Sequence, residues 1–200
     1  MDILILDAAG DQKKLKHKEI IQRQEAIKRD LVTETHCFYL LDARQSGAKY
    51  KPLWYHRRGR RSTGRPHRRG AVKVDILLPG AMDLPALDPG SIDFNNRHGL
   101  PTAPLSLVLL HKLRGWHDRL HSHKKHHWKR HPKDALDVAK LLPIAARAGV
   151  KINTDPHLPR KLVNQARRWV NQYVTKYPEY NTIGHWKKIG FNAKRKGRAV

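Results

Sequence analysis

The chain has 200 residues, 39% of them hydrophobic, and 41 Lys and Arg against 17 Asp and Glu give a formal charge of +24. That length suits one domain, or one domain with a helical extension, and the charge points to a polyanionic partner: nucleic acid, nucleotide phosphates or an acidic surface. One cysteine, Cys37, excludes an internal disulfide framework and reads as a small buried hydrophobe, while no apolar run approaches the roughly 20 residues of a membrane span and no secretory leader is visible, so the expectation is an intracellular protein, cytoplasmic or nuclear, with no membrane partner.

Residues 1–6, Met-Asp-Ile-Leu-Ile-Leu, read as a strand running into a turn at 7–10. From Asp11, a candidate cap, to about Asp30, Leu15, Ile20, Ile21, Ala26 and Ile27 make one apolar stripe of an amphipathic helix. Two strands follow, Cys37 to Leu41 and Tyr50 to Tyr55, paired as a hairpin. Pro52 cannot donate to a ladder, which predicts an edge or bulged second strand. Trp54 and Tyr55 on that strand read as core, with base stacking as the rival role.

Residues 57–70 contain seven arginines (Arg57, Arg58, Arg60, Arg61, Arg65, Arg68 and Arg69) and no apolar side chain, which predicts a loop. Two readings of it stay open: a solvated insertion, or an arm that grips nucleic-acid phosphates. Next, Val72, Val74, Ile76 and Leu78 alternate with Lys73, Asp75 and Leu77, the period of a strand with one apolar face, and Pro79-Gly80 ends it. Residues 80–101 are a Pro-, Gly- and Asp-rich connection.

Three helices are expected beyond that point. The first runs from Pro104 to near His121 on Leu105, Leu107, Leu109, Leu110, Leu113 and Trp116. Pro132 opens the second, which has Leu136, Val138, Ala139, Leu141, Leu142 and Ala145 on its apolar side and stops at Gly149. The third spans about Leu158 to Lys176, with Leu162, Val163, Ala166, Trp169, Val170 and Tyr173 inward. Trp116 and Trp169 are expected to pack, while Trp128 and Trp186, in basic surroundings, are expected to make contacts with a partner. Residues 177–200 read as a weakly structured basic tail. The domain organisation expected is an α/β core at 1–100 with its arginine loop at 57–70, a helical region at 101–176, and the tail.

Asp2 and Asp75 are the pair with chemical promise. A strand, a helix and a second strand can bring two carboxylates to one point of a small sheet, where hard oxygen donors bind divalent ions. Downstream, Lys112-Leu-Arg-Gly-Trp-His-Asp-Arg119 is followed by Lys133-Asp-Ala-Leu-Asp-Val-Ala-Lys-Leu-Leu142. In order and spacing these segments resemble nucleotidyltransferase-fold proteins of the abortive-infection and antitoxin-associated type, and especially their fungal relatives, over residues 2 to about 142. The resemblance implies an α+β fold, a small mixed sheet flanked by helices and followed by a helical C-terminal half. It also implies Mg²⁺- or Mn²⁺-dependent transfer of a nucleotide monophosphate from a nucleoside triphosphate to an acceptor. Asp2 would be the second carboxylate of an Asp-x-Asp strand and Asp75 the third of the cluster, both catalytic and metal-binding. Lys112 and Arg119 would approach the triphosphate, with Asp134 and Asp137 orienting them.

The first aspartate and the Gly-Ser motif of that family have no counterpart, so the chain reads as beginning inside the fold, a truncated or degenerate relative with weak or absent activity. Two rivals remain. One is a non-catalytic basic nucleic-acid-binding module using the arginine loop, the turn from His121 to His131 and the tail. The other is a zinc site among His121, His123, His126, His127 and His131, whose i, i+4 spacings share a helix face but whose Lys and Arg neighbours repel a cation.

Overall fold

The apolar and polar alternation of residues 72–77 builds the longest strand of a four-stranded mixed sheet of order β1-β4-β3-β2. In a computed structural model of the chain these are β1 (Asp2–Leu4), β2 (Phe38–Leu40), β3 (Leu53–Tyr55) and β4 (Val72–Leu77). The structure describes residues 2–4, 16–43, 47, 48, 50–56, 70–80, 84, 85, 92 and 102–194. Two units divide the chain, Met1–Pro89 and Gly90–Val200.

In the first unit β2 and β3 form the expected antiparallel hairpin, with Leu40 opposite Leu53, and β3 pairs antiparallel with β4, with Leu53 opposite Val74. β1 runs parallel to β4 on the other side. β3 is therefore interior and its ladders pair residue for residue, so it is neither the edge strand nor the bulged strand that Pro52 predicted. The proline sits just before the first ladder residue, where its missing N–H costs nothing, and its carbonyl accepts from Leu41 N–H at 3.2 Å.

Helix α1 (His17–Glu34) starts later than the expected Asp11. Its N-cap is Lys16, whose N–H donates to Glu19 Oε2 at 2.6 Å, so a carboxylate reaching back does the capping. Asp11 and Leu15 lie outside the described residues. Ile20, Gln24, Ile27 and Leu31 recur at helical spacing: Ile20 is buried, Gln24 Nε2 donates to Ile76 O at 2.8 Å, and Ile27, Leu31 and Val32 pack on the Leu53, Val74 and Ile76 core. Ile21, expected on that stripe, is exposed.

The second unit is helical throughout: α2 (Leu105–Leu120), α3 (Lys125–Trp128), α4 (His131–Arg147), α5 (Arg160–Lys176) and α6 (Ile183–Lys188), with 3-10 turns at Ile152–Thr154 and Pro178–Tyr180. An α+β fold with a helical C-terminal half results. Pro132 lies in the first turn of α4, and Gly149, at φ +71°, follows its end. Leu109, Leu110 and Leu113 of α2 and Val138, Leu142 and Ala145 of α4 are fully buried, each large side chain contributing about 1.5 to 3 kcal/mol. Leu136, expected inward, is exposed.

Trp116 and Tyr173 meet edge-to-face at 5.2 Å, and the Tyr173 hydroxyl donates to Ala135 O at 2.7 Å, tying α2, α4 and α5 together. Residues 177–194 correct the expected tail. Trp186 and Ile189 are fully buried, and Trp186 packs against Tyr173 at 6.1 Å and Phe191 at 5.6 Å. The basic residues around Trp186 mask a buried helix face of only one and a half turns, too short to show a period. Residues 195–200 lie outside the described residues.

Candidate functional site

The parallel β1–β4 ladder makes Asp2 and Asp75 register partners, followed by Ile3 with Ile76 and Leu4 with Leu77. The two aspartates singled out in the sequence thus stand side by side on adjacent strands. Strand alternation puts Asp75 on the face of β4 opposite the buried Val74 and Ile76, together with Lys73. Lys73 Nζ donates to both oxygens of Asp75, at 2.6 and 3.0 Å, and about half of each side chain is exposed. Across the ladder Lys73 lies opposite Trp54, which lies opposite Tyr39. That face therefore reads Tyr39, Trp54, Lys73, Asp75, whereas Tyr55 joins the other face and packs on Phe38 at 5.2 Å. Burial raises the Tyr39 hydroxyl above the usual tyrosine range.

A divalent ion needs hard oxygen donors, and Asp75, one of the two carboxylate-bearing positions in register, is already paired with the Lys73 ammonium. Among the described residues no group of three His, Cys, Asp or Glu is placed to hold a metal. The three-carboxylate set that the family resemblance implies is not found among the described residues.

In the helical unit the acidic pair of α4 meets the basic pair of α2. Arg119 Nη1 donates to Asp134 Oδ2 in a short ion pair in which the Asp134 side chain is only 12% exposed. Lys112 lies 3.6 Å from Asp137, with both side chains well exposed. Residues 15 and 25 positions apart in sequence are thus paired between two antiparallel-facing helix surfaces by the interlocking of α2 with α4. The consequences differ. Arg119 is paired with a nearly buried carboxylate, and the Lys112 ammonium, in an exposed pair, is held more loosely.

The His126 and His127 rings meet at 4.3 Å and those of His117 and His121 at 4.4 Å, but among the described residues no three converge. His127 Nδ1 is 2.7 Å from Ser122 Oγ, His121 Nδ1 is 2.9 Å from His117 O, and His131 Nδ1 is 2.9 Å from Tyr177 Oη. The expected exposed turn from His121 to His131 carries the one-turn helix α3, and Trp128 on it is largely exposed. Burial lowers His131 below the usual histidine range, with Lys176 adding to the effect and Asp134 opposing it. Burial likewise lowers His117, with Asp118 opposing and His121 and Arg114 adding.

The arginines from Arg57 to Arg69 lie outside the described residues. Sequence reasoning missed the aromatic group of Trp116, Tyr173, Tyr177 and Tyr180, in which the last two rings stack at 5.4 Å and 9°. Tyr177 follows Tyr173 by four residues, a helical spacing that was the available signal. It also missed a cleft of about 290 Å³ between α5 and residues 190–192. Comparison of the chain with family models, curated proteins and solved structures finds no match.

Proposed function

We propose that this chain is a nucleotidyltransferase-like protein whose Asp2 and Asp75 hold a divalent ion, Mg²⁺ or Mn²⁺, together with a nucleoside triphosphate, and whose transfer of a nucleotide monophosphate to an acceptor is weak or absent. The observation that carries the reading is the parallel register of Asp2 with Asp75. The bound ion would neutralise triphosphate charge and polarise its oxygens. The chain's own part is to present two carboxylate-bearing positions on adjacent strands of one ladder, and the family resemblance implies Lys112 as a separate phosphate contact. The Lys73 ammonium paired with Asp75 competes with the ion, which is why turnover is expected to be weak.

Titration of the full chain with Mn²⁺, alone and with ATP, tests this. Wild type binds Mn²⁺; Asp75→Asn weakens it at least about tenfold by removing one of two charged ligands; Lys73→Gln tightens it, because the ammonium no longer competes. Lys112→Gln leaves Mn²⁺ affinity unchanged and weakens ATP. Equal Mn²⁺ binding by wild type and Asp75→Asn would falsify the metal reading.

The Lys73–Asp75 ion pair favours a second reading, in which the carboxylate is a structural partner and the protein is a basic nucleic-acid-binding module without catalysis. On that reading Lys73→Gln brings no gain in metal affinity.

A further inference from the structure

Helix α5 has two unlike faces. Its apolar side is buried, and its solvent side presents Arg160, Lys161, Asn164, Arg167, Arg168 and Gln172, all exposed. Seventeen residues pass without one Asp or Glu. Among the described residues no ion pair engages Arg160, Lys161, Arg167 or Arg168. The whole stretch 147–194 has ten Lys and Arg against two acidic residues, so the field over this face is not cancelled locally. An ordinary solvated helix face mixes signs at i, i+4, which stabilises it; a single-sign face forgoes that and suits an external polyanion.

The cleft beside Arg167 adds a second kind of donor. It is lined by Arg167, Asn153, Asn171 and Asn192, with the buried Val170 and Phe191 beneath. Lys194 N–H donates to Asn171 Oδ1 at 3.0 Å, and Asn153 Nδ2 donates to Gly190 O, so two of the three carboxamides are oriented by backbone. Gly190 is at φ +104°, a conformation that other residues rarely adopt, and an added Cβ 2.9 Å from Asn153 Nδ2 would push that amide aside. A guanidinium flanked by fixed amides is the donor set for a phosphate oxygen.

We infer that the exposed face of α5 is a docking surface for duplex DNA. Its cations lie on phosphates, Arg167 with the cleft amides takes one phosphate, and Asn164 and Gln172 face base edges. Three arguments select this occupant. A helix about 10 to 12 Å across fits the B-form major groove of about 12 Å, while the A-form groove of duplex RNA is too narrow. Asn and Gln beside Arg are the side chains that read adenine and guanine edges there. Single-strand binding calls for exposed aromatics, and the one tryptophan of α5, Trp169, is buried. The strand carboxylates take no part, so this surface and the metal reading stand or fall separately.

The test is fluorescence anisotropy of the full chain with a labelled duplex of about 20 base pairs across a salt series. Each cation on a phosphate contributes about 0.9 to the log–log salt slope, so Arg167→Gln with Arg168→Gln should flatten it by about 1.8 and weaken binding at least about tenfold. The first-turn pair Arg160→Gln and Lys161→Gln gives an independent reading should the first variant misfold, which circular dichroism reports. Replacing all seven arginines of 57–69 with Gln in both backgrounds isolates α5 from that loop, and the α5 effect persists. Mn²⁺ binding is the same in every α5 variant. An unchanged slope in both α5 pairs overturns the proposal, as does single-stranded DNA, duplex RNA or heparin competing as well as duplex DNA.

Discussion

Asp134 and Asp137 stand three residues apart on α4 and answer to different physics. Asp134 is nearly buried, sits in the first helical turn where negative charge is favoured, and is paired with Arg119. Asp134→Asn should lower stability in urea by about 2 kcal/mol, short of the roughly 3 to 5 of a fully buried pair because Arg119 keeps a third of its side chain in water. Asp137→Asn breaks a 3.6 Å exposed pair and should change stability by no more than about 0.5 kcal/mol. Both pairs were anticipated as supports for Lys112 and Arg119 from one acidic motif. Their unequal depth was not legible, because residues 134 and 137 are both polar neighbours in sequence and only the seating of α2 on α4 buries one of them.

At the scale of elements, α6 separates pattern from packing. The six residues Ile-Gly-His-Trp-Lys-Lys offer too few turns for a period, and the lysines suggest solvent. Trp186 nonetheless fills the space between Tyr173 and Phe191, so Trp186→Ala should cost about 3 to 5 kcal/mol in thermal or urea unfolding. Near-neutral stability in that variant would mean that residues 183–194 are not part of the core. The longer helices were readable for the opposite reason: α2, α4 and α5 each run sixteen residues or more, and Pro104, Pro132 and Gly149 mark their ends. Pro52 predicts an edge or bulged β3, an inference from a missing donor that fails when the proline falls one residue outside the ladder.

For the helical unit as a whole, the titration of its half-buried histidines sets a pH dependence. An unfolded histidine takes up a proton near pH 6.5, whereas folded His117 and His131 resist it. The unfolded chain then binds more protons, so stability is greatest above that value and falls as pH drops through it. Thermal midpoints recorded between about pH 7.5 and 5.5 should decline, and His131→Gln should flatten part of that decline. At the alkaline end burial holds Tyr173 protonated well above the usual tyrosine range and raises Tyr177 as well, so stability is lost again as pH rises past about 10, and Tyr173→Phe removes part of that second loss. No described helix is long and apolar enough to cross a membrane.

What the sequence determined by itself was the set of long elements, the alternation that put Asp75 opposite the apolar face of its strand, and the excess of Lys and Arg over Asp and Glu. These are local or additive properties, readable from period and charge. Tertiary structure alone decided that β1 lies parallel to β4 with Asp2 level with Asp75, that Lys73 holds the Asp75 carboxylate, that Arg119 is committed while Lys112 is loosely held, and that Trp186 is core. Each of those depends on which residues distant in sequence meet, and that is settled by how the helices and strands bury their apolar faces together.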